Sequence, residues 1–134
     1  MTVQLRSIPD TEAAVGWAGP HTIVVDRPEG KAGGKGLGFN GGQLLGLAIG
    51  GCFANDLQYV AHEMGVALSS IEIDVSVSLE GDPLLATRAT MQVRVTADKK
   101  QADLSVLVKR AEERSTVSNS IRRGVSVDVI TGTT

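Results

Sequence analysis

The sequence predicts an α+β fold, an antiparallel sheet with one long buried central helix. Three observations carry this. Residues 71–80 and 89–96 alternate apolar and polar side chains strictly, with Gly81-Asp82-Pro83 between them. That is the pattern of a β-hairpin with one wet face. An apolar stretch from Leu44 to Ala54 opens a segment of helical length that runs to a natural stop at Gly65. Finally, the order of strands, long helix, hairpin, helices and strand is not the regular βαβ repeat of a parallel sheet.

Each element follows from local chemistry. Residues 3–6 and 22–25 are short β-like runs, and Ala18-Gly19-Pro20-His21 reads as a turn. A loop spans residues 26–42, with seven glycines between Gly30 and Gly42. Glycine offers little to pack, so residues 29–40 are expected to be the most mobile segment. The helix over 42–64 is apolar on all sides in its first half, which predicts burial all round. Gly42, Gly46 and Gly50 fall four apart and form a bare ridge. Each interior glycine costs about 1 kcal/mol relative to alanine, so the ridge is expected to serve close packing, with a second helix from a partner subunit against it. Asp103 can cap the next helix, where Leu104, Leu107, Val108 and Ala111 make one apolar stripe. A short helix over 116–123, with Ser115 as its N-cap and Gly124 as its stop, precedes a last strand over 125–130.

Length and composition limit what the chain can be. Its 134 residues suit one domain, 1–134. Aromatic residues are only 3%, so the core must rest on Leu, Val, Ile and Ala. Net charge is −2 and the basic residues are scattered, without the basic stripe and stacking aromatics of a nucleic-acid surface. The apolar run ends at Asn55-Asp56 after 11 residues, too short to cross a bilayer. The first residues lack an apolar leader run. A soluble protein in a reducing cytoplasm, with no membrane or nucleic-acid partner, is expected.

Few residues carry chemistry. Gly36-Leu37-Gly38-Phe39-Asn40-Gly41 spells a dinucleotide fingerprint, but the preceding strand ends some ten residues earlier and no further βαβ unit follows. One cysteine and two distant histidines, His21 and His62, give no metal-ligand spacing. Neither metal nor cofactor is expected. Cys52 is the only cysteine, so an intrachain disulfide is excluded. It is either a packed core residue or a reactive thiol. A reactive thiol must ionise, and the dipole of its own helix, strong only in the first turn, does not reach it. Asp56, one turn later, opposes ionisation if close. The cation must come from Arg27, Lys31, Lys35 or a partner chain. Asn55 and Asp56 either line an interface cavity or face solvent where the apolar half ends.

Several segments together resemble the OsmC/Ohr superfamily. They are Asp26-Arg27-Pro28-Glu29, Gly33-Gly34, Asn40-Gly41-Gly42-Gln43-Leu44-Leu45, Gly50-Gly51-Cys52-Phe53, the 71–80 strand, the 103–113 helix and Ser115-Thr116-Val117-Ser118-Asn119-Ser120-Ile121. The resemblance covers nearly all of the chain from Asp26 onward. It implies an OsmC-like fold, an intertwined homodimer with two long central helices, and active sites at the subunit interface. It further implies thiol-dependent reduction of organic hydroperoxides by two cysteines, an arginine and a glutamate. Cys52 falls at the peroxide-attacking cysteine, and Arg27 is the candidate arginine. Ser115 stands where the family has its resolving cysteine, and Gly42 where hydroperoxide-reducing members carry the glutamate.

Two functions follow from different classes. One is a single-cysteine peroxidase for apolar hydroperoxides, with catalytic Cys52 and Arg27 and an external small thiol as reductant. The other is a non-catalytic protein that holds an apolar, lipid-like ligand at the dimer interface, with Cys52 in the wall. The reaction rate of Cys52 with an organic hydroperoxide separates them.

Overall fold

A computed structural model describes residues 1–98 and 103–132. Its elements run β1 Gln4–Ser7, β2 Ala14–Ala18, β3 His21–Val25, α1 Gly41–Met64, β4 Leu68–Glu80, β5 Leu85–Ala97, α2 Leu104–Arg114 and α3 Thr116–Arg123. This is the expected α+β class, with one strand more near the start than expected and one fewer at the end. The chain forms two compact units, Met1–Leu47 with Val77–Ala89, and Ala48–Ser76 with Thr90–Thr134.

The first unit holds an antiparallel sheet in the order β1-β2-β3. Arg6 pairs with Val15, and Gly16 with Ile23. Strand β2 was not anticipated, because Ala14-Val15-Gly16-Trp17-Ala18 carries little alternation of its own. Its hydrogen bonding on both edges compensates for that weak local preference. Gly19, at φ +57°, makes the turn into β3.

The glycine-rich loop departs from its expected looseness. It is organised by hydrogen bonds, which need no side-chain packing. The buried carboxylate of Asp26 accepts backbone N–H groups of Arg27 (2.8 Å), Lys35 (3.0 Å) and Leu37 (3.1 Å). Phe39 donates to the Val24 carbonyl and accepts from Asp26, which ties the loop's far end to β3. A Cβ on Gly38 would collide with the Val24 backbone, so glycine is required there. The donors of Leu37 and then Lys35 hold the Asp26 carboxyl below its ordinary value of 3.8.

Helix α1 has defined ends. Asn40 Oδ1 accepts the Gln43 N–H while Gln43 Oε1 accepts the Asn40 N–H, both at 3.0 Å, a reciprocal capping box. At the other end Gly65 takes φ +65°, with Val66 N–H donating to Ala61 O and Gly65 N–H to His62 O. This is a Schellman stop. Within the chain, two glycines of the ridge face strand β4: a Cβ on Gly42 would lie 3.3 Å from Leu79, and one on Gly50 would lie 3.0 Å from Val75. The single chain leaves part of the first half open, for Leu47 is 54% exposed and Ala48 and Gly51 are exposed with it.

The second unit contains the main apolar cluster. Phe53, Leu57, Val60 and Ala61 of α1 are buried against Leu107 and Ala111 of α2. Ile71 and Ile73 of β4 and Met91, Val93 and Val95 of β5 close over it, which is the face predicted by their alternation. On the opposite, wet face Arg94 bridges Glu72 (2.9 Å) and Asp74 (2.8 Å). Asp103 caps α2 as expected, accepting the Val106 N–H at 3.2 Å. By length and composition α1 matches a membrane span, with 24 residues and a window hydropathy of 1.2. Its use of Phe53, Leu57, Val60 and Ala61 in a protein core, and of Asp56 and Glu63 along its length, is that of a core helix.

The expected last strand is not formed. Residues 125–130 lack strand pairing, and Val127 and Ile130 are 83% and 93% exposed. Alternation alone does not make a strand; its backbone needs a neighbouring strand to bond.

Two outcomes follow. Leu57→Ala, at a fully buried site, should lower unfolding free energy by about 2–5 kcal/mol in chemical denaturation. Because the Asp26 carboxyl is held low when folded, its contribution is present above its unfolded value and is lost as pH falls through the folded one. At neutral pH, Asp26→Asn should therefore speed amide exchange at Lys35 and Leu37, and unchanged protection at both would contradict this account of the loop.

Candidate functional site

The buried stripe of α2 leads to the cysteine. Leu107, Ala111 and Ser115 follow at intervals of four, and all three are fully buried. At Ser115 the backbone leaves the helix, at φ −63° and ψ 105°, between the end of α2 and the start of α3. The Ser115 carbonyl still accepts the Asn119 N–H at 2.9 Å and so begins α3. Its side chain makes no capping bond to α3, contrary to expectation. The Ser115 Oγ instead donates to Cys52 Sγ at 3.8 Å.

Cys52 is half-buried on α1, beside the core residue Phe53. Asp56 lies one turn on, on the same side of the helix. The Cys52 thiol donates to Asp56 Oδ2 at 3.6 Å. The sulfur thus receives a hydrogen from a hydroxyl and gives its own toward a carboxylate. The sequence showed Asp56 by its helical spacing. Local chemistry did not bring Ser115, 63 residues further on, to the thiol; only its place at the family's resolving cysteine implied that nearness.

One cation near this group was missed. Arg114 Nη1 binds Glu63 Oε2 at 2.7 Å. That bond, joined by attraction from Glu63 and Asp56, holds its guanidinium above the ordinary arginine value. The available signal was its place next to Ser115. Arg27, the cation that the sequence favoured, is placed by its own partners in the first unit. Its Nη2 donates to the Glu12 carbonyl at 2.8 Å and to Asp26 Oδ1 at 3.3 Å. Its Nε is buried without a partner among the described residues. Gly42, at the position of the family glutamate, sits against Leu79 in the same unit.

A groove of about 540 Å³ between β5 and α2, lined by Val93, Val95, Leu104 and Val108 among others, contains none of these residues.

Comparison with known proteins gives a consistent result. The family model described as OsmC-like protein matches residues 33–130. This stretch includes Cys52 and Ser115 and leaves Arg27 outside. No curated protein matches the chain. Among solved structures, an OsmC-like protein of unknown function from Vibrio cholerae superposes with a TM-score of 0.76 at 13% identity, over 89% of this chain and 91% of that one. A Legionella pneumophila structure described as an organic hydroperoxide resistance protein OsmC gives 0.63 at 21% identity, over 90% and 88%. The organic hydroperoxide resistance protein OhrB of Bacillus subtilis gives 0.61 at 23% identity, over 92% and 90%. At these identities the likeness is one of fold.

Proposed function

The chain belongs to the OsmC-like family, and from that premise we propose that it is a thiol-dependent peroxidase that reduces apolar organic hydroperoxides at Cys52. The observation that carries this reading is the half-buried Cys52 thiol held between the Ser115 hydroxyl and the Asp56 carboxylate. The naming of the Legionella and Bacillus neighbours for organic hydroperoxide resistance supports the substrate class.

The chemistry balances as follows. The Cys52 sulfur attacks the outer oxygen of the hydroperoxide, and the O–O bond breaks. The alkoxide leaves and takes up a proton as the alcohol. The sulfur loses two electrons and becomes a sulfenic acid. With Ser115 in place of a second thiol, an external small thiol must attack that sulfur and expel water. A second thiol then releases Cys52 and carries away the disulfide. Arg27 is assigned the cation that assists ionisation, on the family resemblance. Cytoplasmic placement accords with dependence on such a reductant pool.

The working form in this reading is a homodimer. The exposed apolar residues Val125, Val127, Val129 and Ile130, and the open side of α1 around Leu47, support self-association. A second reading, a non-catalytic protein holding a lipid-like ligand at the dimer interface, draws on Asp56, whose carboxylate accepts the hydrogen bond of the thiol.

Stopped-flow oxidation separates the two. Cumene hydroperoxide should oxidise Cys52 much faster than it oxidises free cysteine, and faster than hydrogen peroxide does. Cys52→Ser should abolish consumption while the fold is kept, and Arg27→Ala should slow it. The product should be a sulfenic acid or a mixed disulfide with added thiol. Reaction no faster than free cysteine would leave the ligand-binding reading. Light scattering at micromolar concentration should give the mass of two chains, and Val127→Lys with Val129→Lys should shift it toward one. A folded wild-type monomer would count against the dimer.

A further inference from the structure

Ser115 has a role that its local sequence does not require. A serine before a helix ordinarily spends its hydroxyl on the first free N–H groups of that helix. Here that role is given up, although Ser115 stands at the N-cap position of α3. The side chain is fully buried, and a buried hydroxyl needs a partner. Its hydrogen bond is to the sulfur of Cys52 at 3.8 Å. The extended backbone at this residue, between two helices, lets the side chain turn toward α1. Alanine would fill this core position without a polar group to satisfy, so burial alone does not account for a hydroxyl.

We propose that Ser115 is a positioning residue for Cys52. This rests on the reading of Cys52 as the peroxide-attacking thiol. The hydroxyl hydrogen fixes one lone pair of the sulfur, while the bond toward Asp56 Oδ2 fixes the direction of the thiol hydrogen. The rotation of Cys52 about its own Cα–Cβ bond is thereby limited, and the free side of the sulfur has one orientation. As the sulfur attacks the outer peroxide oxygen and the O–O bond breaks, Ser115 keeps donating and is not consumed. Charge that gathers on sulfur before the attack is shared with the hydroxyl. After oxidation the same oxygen borders the sulfenic acid. It cannot reduce that sulfur, so the return step belongs to an incoming thiol, with water as the leaving group.

The test is the single-turnover oxidation of the full-length protein by cumene hydroperoxide, followed as loss of titratable thiol. Ser115→Ala should slow the step about tenfold, the effect of one lost hydrogen bond to a developing charge. Ser115→Thr, which keeps the hydroxyl, should recover most of the rate. Alkylation by iodoacetamide should fall in the same order, because it needs the same sulfur and no peroxide. Circular dichroism and the thermal midpoint report whether each variant is folded. Should Ser115→Ala or Ser115→Thr prove unfolded, Ser115→Cys remains. One equivalent of hydroperoxide should then join position 115 to Cys52 as an intrachain disulfide, visible as the loss of two hydrogens in the intact mass. Absence of that bond in a folded, oxidised variant would overturn the placement of the two side chains. A folded Ser115→Ala protein that reacts at the wild-type rate, while Cys52→Ser is inert, overturns the role of Ser115 and leaves Cys52 as the reactive thiol. A wild-type protein no faster than free cysteine overturns both.

Discussion

Helix α1 must bury Phe53, Leu57, Val60 and Ala61, and α2 offers Leu107 and Ala111 as the matching surface. Each fully buried side chain of leucine size is worth about 1.5–3 kcal/mol, so this contact sets the register of the two helices. The rest of the second unit depends on that register. Cys52 and Asp56 lie on the stripe beside Phe53 and Leu57, one residue before each. Ser115 continues the α2 stripe one turn past Ala111. Once Leu107 is packed, the serine is delivered to the cysteine without any further device. Site and core are two ends of one packing seam, and a slip of a single turn in α2 would part the hydroxyl from the sulfur.

What was legible in the sequence was local. The stop at Gly65, the cap at Asp103 and the alternation of the hairpin each follow from a few neighbouring residues, and each is formed. The capping box at Asn40 and Gln43 starts the helix just ahead of the expected residue 42, and its spacing carried that signal too. What was not legible depended on partners distant in the chain. Strand β2 is held by two neighbours rather than by its own composition. The loop beyond β3 looked loose because its glycines carry no side chains. Its order comes from one buried carboxylate, and a single aspartate among seven glycines gives no composition signal. Ser115 carried a sound local reading as a cap, yet the thiol took its hydroxyl. Residues 125–130 show the converse: a strand pattern without a strand to pair with.

The electrostatics around Cys52 are divided. Asp56 accepts a hydrogen bond from the thiol, Ser115 donates one to the sulfur, and Arg114 stands in the field of both Glu63 and Asp56. Among the described residues Arg114 pairs with Glu63 at 2.7 Å and feels Asp56 only through space.

The unpaired tail bears on the same question through self-association. Val125, Val127, Val129 and Ile130 stand in solvent, with Ser126 and Asp128 between them. An alternating segment of this kind has apolar side chains to bury and backbone groups to bond. Adding itself to a sheet edge satisfies both at once. The open side of α1, with Leu47 and Tyr59 exposed, has the same deficit. Tyr59 is amphipathic, and its ring fits an interface better than either a core or free solvent. Both surfaces are of the kind that association with another chain covers.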